Sequence, residues 1–357
     1  MKITDIETPA LIVDLEIMDR NLTVMKEWLS GKKTYLRAHF KTPKSTAIAR
    51  REIEYGASGV CCQTLSEAEV LANSGIREVL ITNQIVQESK ILKMINLLNF
   101  SDVKCLIDNL ENAKLISSLA ERKQKQMGVL IEVNVGMNRC GIEPREALNL
   151  ARAISSLRGL KFKGVQAYDG HLQMAEHTIG KEKKMEQVQK VVEVIRTVRE
   201  DFEKAGLSLE IVSGAGTGTY KYEYPVLDEI QAGSYALMDW KYKVSAPEFD
   251  MAATVLSRVI STPTENRVVV DCGTKACSTD SGMPLVKGME DVRCDIRSDE
   301  HGVLNLGPNA NKVKVGDIVE LYPSHICTTV NLHDKFYVIR KGEVEAIWPI
   351  NARSRFV

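Results

Sequence analysis

The sequence predicts an α/β protein: a (β/α)8 barrel of the TIM type with a second, C-terminal β-rich domain. From about residue 34 to residue 240, short apolar runs alternate with amphipathic helical stretches. Strands and helices that alternate this regularly indicate a parallel sheet. After about residue 250 the long helical stretches stop, and short strand-like runs separated by turn residues take their place.

The predicted strand count comes from eight apolar or β-branched runs, and eight parallel strands suit a closed barrel. These runs are TYLRAH, ASGVCC, EVLIT, VKCLID, GVLIEVNV, FKGVQAY, LEIVSG and LDEIQAGSY. Helical stretches such as TLSEAEVLANSG and EKKMEQVQKVVEVIRTVREDFEKAG lie between most of them. A doubly wound open sheet is the alternative, because it shows the same alternation of strand and helix.

The β-rich domain is predicted from MAATVLSRVIST, NRVVVDCG, DIVELYPSHIC and FYVIRKGEVEAIWPI, which we interpret as strands. We therefore divide the chain into three segments. Residues 1–20 are expected to contribute a strand to the β-rich domain, residues 21–243 to form the barrel, and residues 244–357 to form the β-rich domain itself.

Composition excludes several functional classes. The 357 residues include 47 Lys and Arg and 47 Asp and Glu, so the formal net charge is zero and gives no electrostatic reason to expect nucleic acid or an acidic membrane as a partner. No apolar run is long enough to span a bilayer. The N-terminal stretch lacks the pattern of a secretory signal, and the eight cysteines form no C-x-x-C pair. We expect reduced thiols and a cytoplasmic protein.

The first barrel strand leads into RAHFKTPKS, where Arg37, His39, Lys41 and Lys44 lie close together. Lys41 follows the C-terminal end of the strand, and active sites of such barrels are built at that end. Neighbouring cations lower the pKa of a lysine and make its amine a nucleophile. The alternative is a basic loop on the surface.

A glycine-rich loop follows the seventh predicted strand, in EIVSGAGTGTYKYE. Gly214, Gly216 and Gly218 let the backbone approach a ligand closely, and N–H groups in such a loop can hold a phosphate. Barrels commonly bind phosphate near this strand. A plain flexible turn is the alternative.

Three further stretches carry polar candidates. In PSHICTTVNLHD, His325 and Cys327 are two residues apart, which on a strand puts both on one face and gives half of a zinc site. Arg139 in NVGMNRCGI, and Tyr168 and His171 in FKGVQAYDGHLQ, follow other strands. The pair of His325 and Cys327 could instead be structural. Arg139, Tyr168 and His171 could face a cofactor, or be a surface arginine, a packed tyrosine and a loop histidine.

A nucleophilic lysine, a phosphate loop and polar groups on successive strands together suit pyridoxal phosphate. The sequence resembles the D-threonine aldolase/D-serine dehydratase family of the alanine-racemase-like fold, over nearly its whole length. The resemblance rests on RAHFKTPKS, GVCCQTLSEAE, NVGMNRCGI, FKGVQAYDG, VSGAGTGTY, EIQAGSYALMD, DEHG and HICTTVNLHD. Within the family, KACSTDSGMP, TVNLHD and WPINAR resemble D-threonine and 3-hydroxy-D-aspartate aldolases.

The resemblance implies a role for each candidate. Lys41 is implied to be the Schiff-base lysine, and His325 and Cys327 the ligands of a divalent metal, with zinc favoured over manganese or magnesium. The other implied cofactor-binding residues are Arg139 and Tyr168 at the pyridoxal ring, and Gly216, Thr217 and Gly218 at the phosphate, with Ser234 and Tyr235 nearby.

Two positions depart from the aldolase pattern. The aldolases usually carry aspartate where this chain has Cys327, which is the residue of the dehydratases. They also often carry a histidine, as base for the β-hydroxyl, where this chain has Met174. His171, three residues after Tyr168, is the candidate to take that catalytic role.

The resemblance thus implies a metal-dependent pyridoxal phosphate lyase that cleaves D-configured β-hydroxy-α-amino acids to glycine and an aldehyde, and that forms a homodimer. The alternative within the family is a dehydratase that gives a 2-oxo acid and ammonia. A non-catalytic pyridoxal phosphate-binding protein is the alternative from another class. A racemase is disfavoured, because racemisation needs no metal.

Overall fold

The structure is a computed structural model that describes residues 1–223 and 225–357. The chain divides into two compact units. One, termed the sheet unit, comprises Met1–Glu27, Thr42–Ile48 and Ser234–Ser354. The other, termed the barrel unit, comprises Trp28–Lys41, Ala49–Gly233 and Arg355–Val357. The domain boundaries that the sequence predicts at residues 20 and 243 stay a prediction.

The strands coincide with runs rich in Val, Ile, Leu and Cys, whose side chains pack on a pleated surface. In chain order they are β1 (Ala10–Asp14), β2 (Tyr35–His39), β3 (Gly59–Cys62), β4 (Glu78–Gln84), β5 (Asp102–Ile107), β6 (Met127–Glu132), β7 (Leu160–Ala167), β8 (Ile211–Gly214), β9 (Glu229–Ile230), β10 (Ala253–Thr264), β11 (Arg267–Val270), β12 (Leu285–Val286), β13 (Val292–Asp295), β14 (Gly302–Leu306), β15 (Ile318–Tyr322), β16 (Lys335–Arg340) and β17 (Glu343–Pro349).

The longer helices each bury an apolar stripe of side chains. They are α1 (Leu15–Leu29), α2 (Thr46–Glu54), α3 (Leu65–Asn73), α4 (Glu88–Leu97), α5 (Leu110–Arg122), α6 (Ala147–Ser155), α7 (Glu176–Ile179), α8 (Lys181–Lys204), α9 (Tyr220–Glu223), α10 (Trp240–Ser245) and α11 (Ile326–Val330). Short 3-10 helices lie at Ile3–Asp5, Pro144–Glu146, Gly170–Leu172 and Ser234–Ala236. Among the described residues, no helix is both long and apolar enough to cross a membrane.

The barrel unit contains a closed barrel of eight parallel strands, β2 to β9, in chain order. The barrel closes where β2 pairs with β9, with Tyr35 opposite Glu229 and Leu36 opposite Ile230. The predicted (β/α)8 barrel is therefore confirmed, and the doubly wound alternative is excluded. A buried apolar cluster fills part of its interior and consists of Cys61, Leu80, Leu106, Leu130 and Ile211.

The sheet unit contains a nine-stranded sheet, which confirms the predicted β-rich domain. Its main path runs β13-β14-β11-β10-β1-β16-β17, and β15 pairs with β10 and β12. The N-terminal strand β1 lies inside this sheet, antiparallel to β10 and parallel to β16.

Two predicted strands are wrong in extent. The run LDEIQAGSY forms only the two-residue strand β9, and Ser234–Ala236 is a 3-10 helix. The run DIVELYPSHIC leaves the sheet at Tyr322, and His325 becomes the N-cap of α11. The cause of the second difference is Pro323, which has no N–H to continue a strand ladder.

Candidate active site

Side chains from several barrel strands line a pocket of about 160 Å³ at their C-terminal ends. This is the end at which barrels of this type bind their ligands. The lining residues follow or end β2, β3, β4, β6, β7 and β9: His39, Lys41, Gln63, Thr82, Met137, Arg139, Gln166, Tyr168, Gly170 and Gln231.

Lys41 lies two residues beyond the end of β2, as the sequence predicts. Its backbone N–H donates to Nδ1 of His39 at 3.2 Å. Because Nδ1 accepts this bond, the ring proton of a neutral His39 belongs on Nε2, which lies 3.4 Å from Oγ1 of Thr82. The imidazole therefore fixes the backbone of Lys41 at the pocket.

The other cations of RAHFKTPKS have separate partners. Arg37 is buried and its Nε donates to both carboxyl oxygens of Glu229, at 3.0 and 2.9 Å. Burial would lower the pKa of Arg37, but the charge of Glu229 and its hydrogen bond with Arg37 raise that pKa above its ordinary value. Lys44, in the sheet unit, has a φ of 47° and its Nζ donates to the carbonyl of Ala352 at 3.4 Å. Of the two lysines, Lys41 is the one that lines the pocket.

Arg139 and Tyr168 lie together at the pocket. The guanidinium carbon of Arg139 is 5.7 Å from the centre of the Tyr168 ring, within the range of a cation–π contact. A guanidinium nitrogen of Arg139 is 3.9 Å from Oε1 of Glu132. Burial raises the pKa of Glu132 above its ordinary value, although Gln84 donates a hydrogen bond to it.

The glycine-rich loop is buried and packs against the side chain of Gln173. A Cβ on Gly216 would lie 2.4 Å from Oε1 of Gln173, and one on Gly218 would lie 1.9 Å from its carbonyl oxygen. The N–H of Gly218 donates to Oε1 of Gln173 at 2.9 Å. Gly218 is thus required by its close approach to the backbone of Gln173, a reason that the sequence did not suggest, whereas Gly216 meets only the end of the Gln173 side chain. Thr217 is buried between them.

His171 is exposed and lies beside the turn that contains Gly136. A Cβ on Gly136 would be 3.3 Å from Nε2 of His171. In the described part of the chain, the residues that line the pocket do not include His171. Its catalytic role stays a prediction.

Ser234 and Tyr235 are buried in the 3-10 helix of the sheet unit. Oγ of Ser234 is 3.4 Å from Oγ1 of Thr42, and Tyr235 packs edge-on against Phe249 with ring centres 5.5 Å apart. Their predicted contact with the cofactor stays a prediction.

His325 and Cys327 lie together in the sheet unit, at the start of α11 rather than on one face of a strand. Nδ1 of His325 is 2.7 Å from Oδ2 of Asp280, and Sγ of Cys327 is 3.2 Å from Oγ1 of Thr42. Burial would lower the pKa of His325, but hydrogen bonds and charge from Cys327 and Asp280 raise it to about 9.

The chemistry of these donors fits a divalent metal. A metal-binding histidine commonly uses one nitrogen for the metal and gives the other to a carboxylate, which is the part that Asp280 can take. Burial would raise the pKa of Asp280, but hydrogen bonds from His325 and Ser278 lower it to about 2. The sequence analysis missed Asp280, because 45 residues separate it from His325.

A second group with metal-ligand chemistry lies in the barrel unit. Ligand atoms of Asp108, Glu132 and Cys140 are all within 4.8 Å of one another. Oδ2 of Asp108 accepts a hydrogen bond from the N–H of Gly141 at 3.1 Å. The sequence analysis missed this group too, since its members come from three separate segments.

The pocket fits pyridoxal phosphate by the chemistry of its side chains. Lys41 supplies a primary amine, which can bond covalently to the cofactor's aldehyde. Arg139 supplies a guanidinium, which can contact an aromatic ring by stacking or by hydrogen bonds. The buried loop at Gly216 and Gly218 belongs to the same unit, although it does not line this pocket.

Comparison with protein families gives two matches, one after the other along the chain. Residues 13–239 match the family described as alanine racemase, N-terminal domain. Residues 252–339 match the family described as putative serine dehydratase domain.

Several curated proteins are similar over almost the whole chain. A 3-hydroxy-D-aspartate aldolase of Paracoccus denitrificans (strain Pd 1222) is 35% identical, over 99% of this chain and 93% of that protein. A D-threonine aldolase of Arthrobacter sp. is 34% identical, over 98% of this chain and 93% of that protein. A D-threo-3-hydroxyaspartate dehydratase of Delftia sp. (strain HT23) is 26% identical, over 91% of this chain and 92% of that protein.

Solved structures of an aldolase and a dehydratase are also similar to this chain. The crystal structure of D-threonine aldolase from Filomicrobium marinum superimposes with a TM-score of 0.96 at 35% identity, covering 100% of this chain and 98% of that one. The D-threo-3-hydroxyaspartate dehydratase from Delftia sp. HT23 superimposes with a TM-score of 0.86 at 24% identity, covering 98% of each chain, and shows the fold alone.

Proposed function

Because this chain belongs to the D-threonine aldolase/D-serine dehydratase family of the alanine-racemase-like fold, we propose that it is a lyase for D-configured β-hydroxy-α-amino acids. The reaction breaks the Cα–Cβ bond, removes the proton of the β-hydroxyl and adds a proton to Cα. The products are glycine and an aldehyde. The substrates are of the D-threonine or 3-hydroxy-D-aspartate type.

One observation carries the proposal: Lys41 lines the same pocket as Arg139 and Tyr168, at the C-terminal ends of the barrel strands. An amine, a guanidinium and a phenol at this end of a barrel suit a cofactor with an aldehyde and an aromatic ring. The identity of 35% to an aldolase over 99% of the chain supports the reaction class.

Pyridoxal phosphate, when bound, supplies an electron sink for the charge that develops at Cα. Lys41 attaches the cofactor and carries a proton to or from Cα. Arg139 and Tyr168 would orient the ring, and the loop at Gly216, Thr217 and Gly218 would hold the phosphate, although the N–H of Gly218 itself donates to Gln173. His39 contributes by fixing the backbone of Lys41 through the 3.2 Å hydrogen bond.

We propose that His325 and Cys327 hold the divalent metal, with Asp280 orienting the imidazole at 2.7 Å. The metal supplies Lewis acidity toward an oxygen of the substrate. Zinc is the metal that suits the donors best, because a thiolate is a soft ligand and manganese and magnesium prefer oxygen. His171 is the candidate to take the proton of the β-hydroxyl.

The products test the proposal, because the two branches of the family break different bonds. Purified protein is incubated with D-threonine and with both diastereomers of D-3-hydroxyaspartate, and the L-isomers serve as controls. Glycine together with acetaldehyde or glyoxylate is the expected result. Ammonia together with 2-oxobutyrate or oxaloacetate, without glycine, contradicts it.

Elimination of water is the second candidate function, and one residue favours it. Cys327 stands where the sequence resemblance gives the dehydratases a cysteine and the aldolases an aspartate. In that reaction Lys41 removes the proton of Cα and the Cβ–O bond breaks. A protein that binds the cofactor but converts no D-amino acid would instead support the non-catalytic alternative.

Two properties of the whole protein complete the proposal. We propose a cytoplasmic location, supported by the eight cysteines, none of which forms a disulfide bond with another described residue. We also propose a homodimer, from the family resemblance. Light scattering on the purified protein tests the second point, and a monomer at working concentration contradicts it.

A further inference from the structure

Lys184 is a lysine of α8 whose side chain is completely buried in the barrel unit. Its ammonium group donates three hydrogen bonds, to the carbonyl of Gly218 at 2.8 Å, to Oε2 of Glu176 at 2.7 Å and to the carbonyl of Gln173 at 3.3 Å. All three donors of the ammonium group therefore have acceptors. One of these acceptors belongs to the glycine-rich loop itself.

The side chain of Gln173 contacts the same loop by accepting a hydrogen bond from a backbone N–H of the loop. Its Oε1 accepts from the N–H of Gly218 at 2.9 Å. Its Nε2 donates to Oδ1 of Asp169 at 2.7 Å and lies 2.8 Å from Oγ1 of Thr219. Both polar groups of Gly218, the N–H and the carbonyl, are thus fixed by buried side chains.

Stability alone is a weak explanation for this arrangement. Burial lowers the pKa of Lys184 below its ordinary value, against the pull of Glu176 and Asp169. Replacing a buried ion pair by apolar residues of similar size is often neutral or stabilising. A buried lysine that reaches a loop carbonyl instead fixes the position of that loop, which is the segment proposed to carry a phosphate.

We propose that Lys184 and Gln173 are positioning residues, which hold the Gly214–Gly218 loop in the geometry that binds the phosphate of pyridoxal phosphate. This inference rests on the proposed function, since it assumes that cofactor. Neither residue lines the 160 Å³ pocket with Lys41, Arg139 and Tyr168. Their removal is therefore expected to weaken phosphate binding without affecting the attachment of the ring.

The experiment compares two ligands that differ only in the phosphate. Apo-protein, prepared by treatment with hydroxylamine and dialysis, is titrated with pyridoxal 5′-phosphate and with pyridoxal, and both dissociation constants are measured from absorbance. Lys184→Met is expected to raise the constant for pyridoxal 5′-phosphate by about tenfold or more, because the loop that would hold the phosphate loses the ammonium contact to the carbonyl of Gly218. The constant for pyridoxal is expected to change by less than about threefold. Gln173→Met is expected to show the same selectivity, and it decides the question if Lys184→Met does not fold.

Lys104→Met is the matched control. Lys104 is also buried and paired, with Oε2 of Glu78 at 3.0 Å and Oδ2 of Asp102 at 2.8 Å, but these carboxylates stand at the N-terminal ends of β4 and β5, away from the pocket. Its two constants should equal those of the wild type. Equal changes for both ligands, or no change for either, in the variants of Lys184 and Gln173 overturn the inference. A wild-type apo-protein that takes up neither ligand contradicts the proposed function as well, which separates the two failures.

Discussion

The guanidinium of Arg37 binds the carboxylate of Glu229 inside the barrel, with Nε 3.0 and 2.9 Å from its two oxygens. Arg37 belongs to β2 and Glu229 to β9, the two strands whose pairing closes the barrel. The side chains are 4% and 0% exposed. A Cβ on Gly59 would lie 2.6 Å from Nη1 of Arg37, so the glycine leaves space for the guanidinium of this pair. Arg37, which lies close to Lys41 in the sequence, is thus paired with Glu229 and has a structural role.

Glu229→Ala should destabilise the protein by about 3–5 kcal/mol, because it leaves the buried charge of Arg37 with only the more distant carboxylate of Glu78, at 3.9 Å. The free energy of unfolding in urea measures this. Arg37→Met combined with Glu229→Leu should recover much of the loss, since both buried charges of this pair are removed together. Glu265→Ala is the matched control: Glu265 pairs with Lys312 at 2.8 Å, but both side chains are exposed, and no measurable loss is expected. Equal stabilities of Glu229→Ala and Glu265→Ala would contradict the assignment.

Lys41 should carry the cofactor covalently, so the purified protein should be yellow. Reduction with borohydride should fix the cofactor to one peptide, identified by mass spectrometry, and the label should map to Lys41. Lys41→Ala should remain colourless. Lys44→Arg should keep the colour and the label, since Lys44 is buried and donates to Ala352. A label on Lys44 of the wild type, or on no lysine, would disprove the role of Lys41.

The sequence predicts those parts of the fold and site that depend on local pattern. Alternating strands and helices predict the barrel, and a lysine directly after a strand predicts its place at the strand end. The contact between Asp280 and His325 could not be predicted, because it depends on how distant segments meet. Pro323 was a local signal for the end of β15 that the strand prediction did not weigh.

The position of Lys184 could be predicted from the sequence only in part. In the run EKKMEQ it looks like one more solvent-exposed lysine. Yet it stands four residues before Val188 and seven before Val191, which are buried on α8. The helical spacing therefore puts Lys184 on the buried face. This signal was present in the sequence, but the identity of its partner at Gly218 was not.

The metal should depend on His325 and Cys327. Metal content per chain, measured after purification without chelator, should fall toward zero in His325→Ala and Cys327→Ala. Chelation should abolish turnover, and added zinc should restore it. Cys327→Asp should shift the preference from zinc toward manganese, because a carboxylate is a harder ligand than a thiolate.

The variant Cys140→Ser tests whether the metal is held instead by the group of Asp108, Glu132 and Cys140, whose ligand atoms lie within 4.8 Å of one another. This variant should keep its metal. Loss of metal from Cys140→Ser, with full metal content in His325→Ala, would show that the metal site lies in the barrel unit. Full turnover of metal-free wild-type protein would show that turnover does not need the metal.

His171→Ala should lower kcat by roughly 100-fold, the usual contribution of a general base, and leave cofactor affinity unchanged. His177→Ala is the control, because His177 is also exposed and belongs to α7. Steady-state kinetics with D-threonine, together with a titration of the cofactor, provide both readings. A kcat equal to that of the wild type would exclude His171 as the base, and another group would have to take the proton of the β-hydroxyl.

Glu223→Gln should change how stability depends on pH. Glu223 is completely buried, and its carboxyl group lies within hydrogen-bonding range of Asp169 and Thr219. Burial, and then the charge of Asp169, raise the pKa of Glu223 well above its ordinary value of 4.5. The folded protein therefore keeps a proton that the unfolded chain loses above that value. Stability from this group is full below pH 4.5 and declines as pH rises toward the folded pKa.

The amide introduced by Glu223→Gln does not titrate, and it can donate to Oδ2 of Asp169. The melting temperature of the variant should match that of the wild type near pH 5 and exceed it by about 2 °C or more near pH 8. Thermal unfolding at several pH values, followed by circular dichroism, measures the difference. Glu265→Gln is the control, because Glu265 is exposed and its pKa is lowered by Lys312 rather than raised. A difference between Glu223→Gln and wild type that stays constant from pH 5 to pH 8 would show that Glu223 is ionised in the folded protein, against the burial argument.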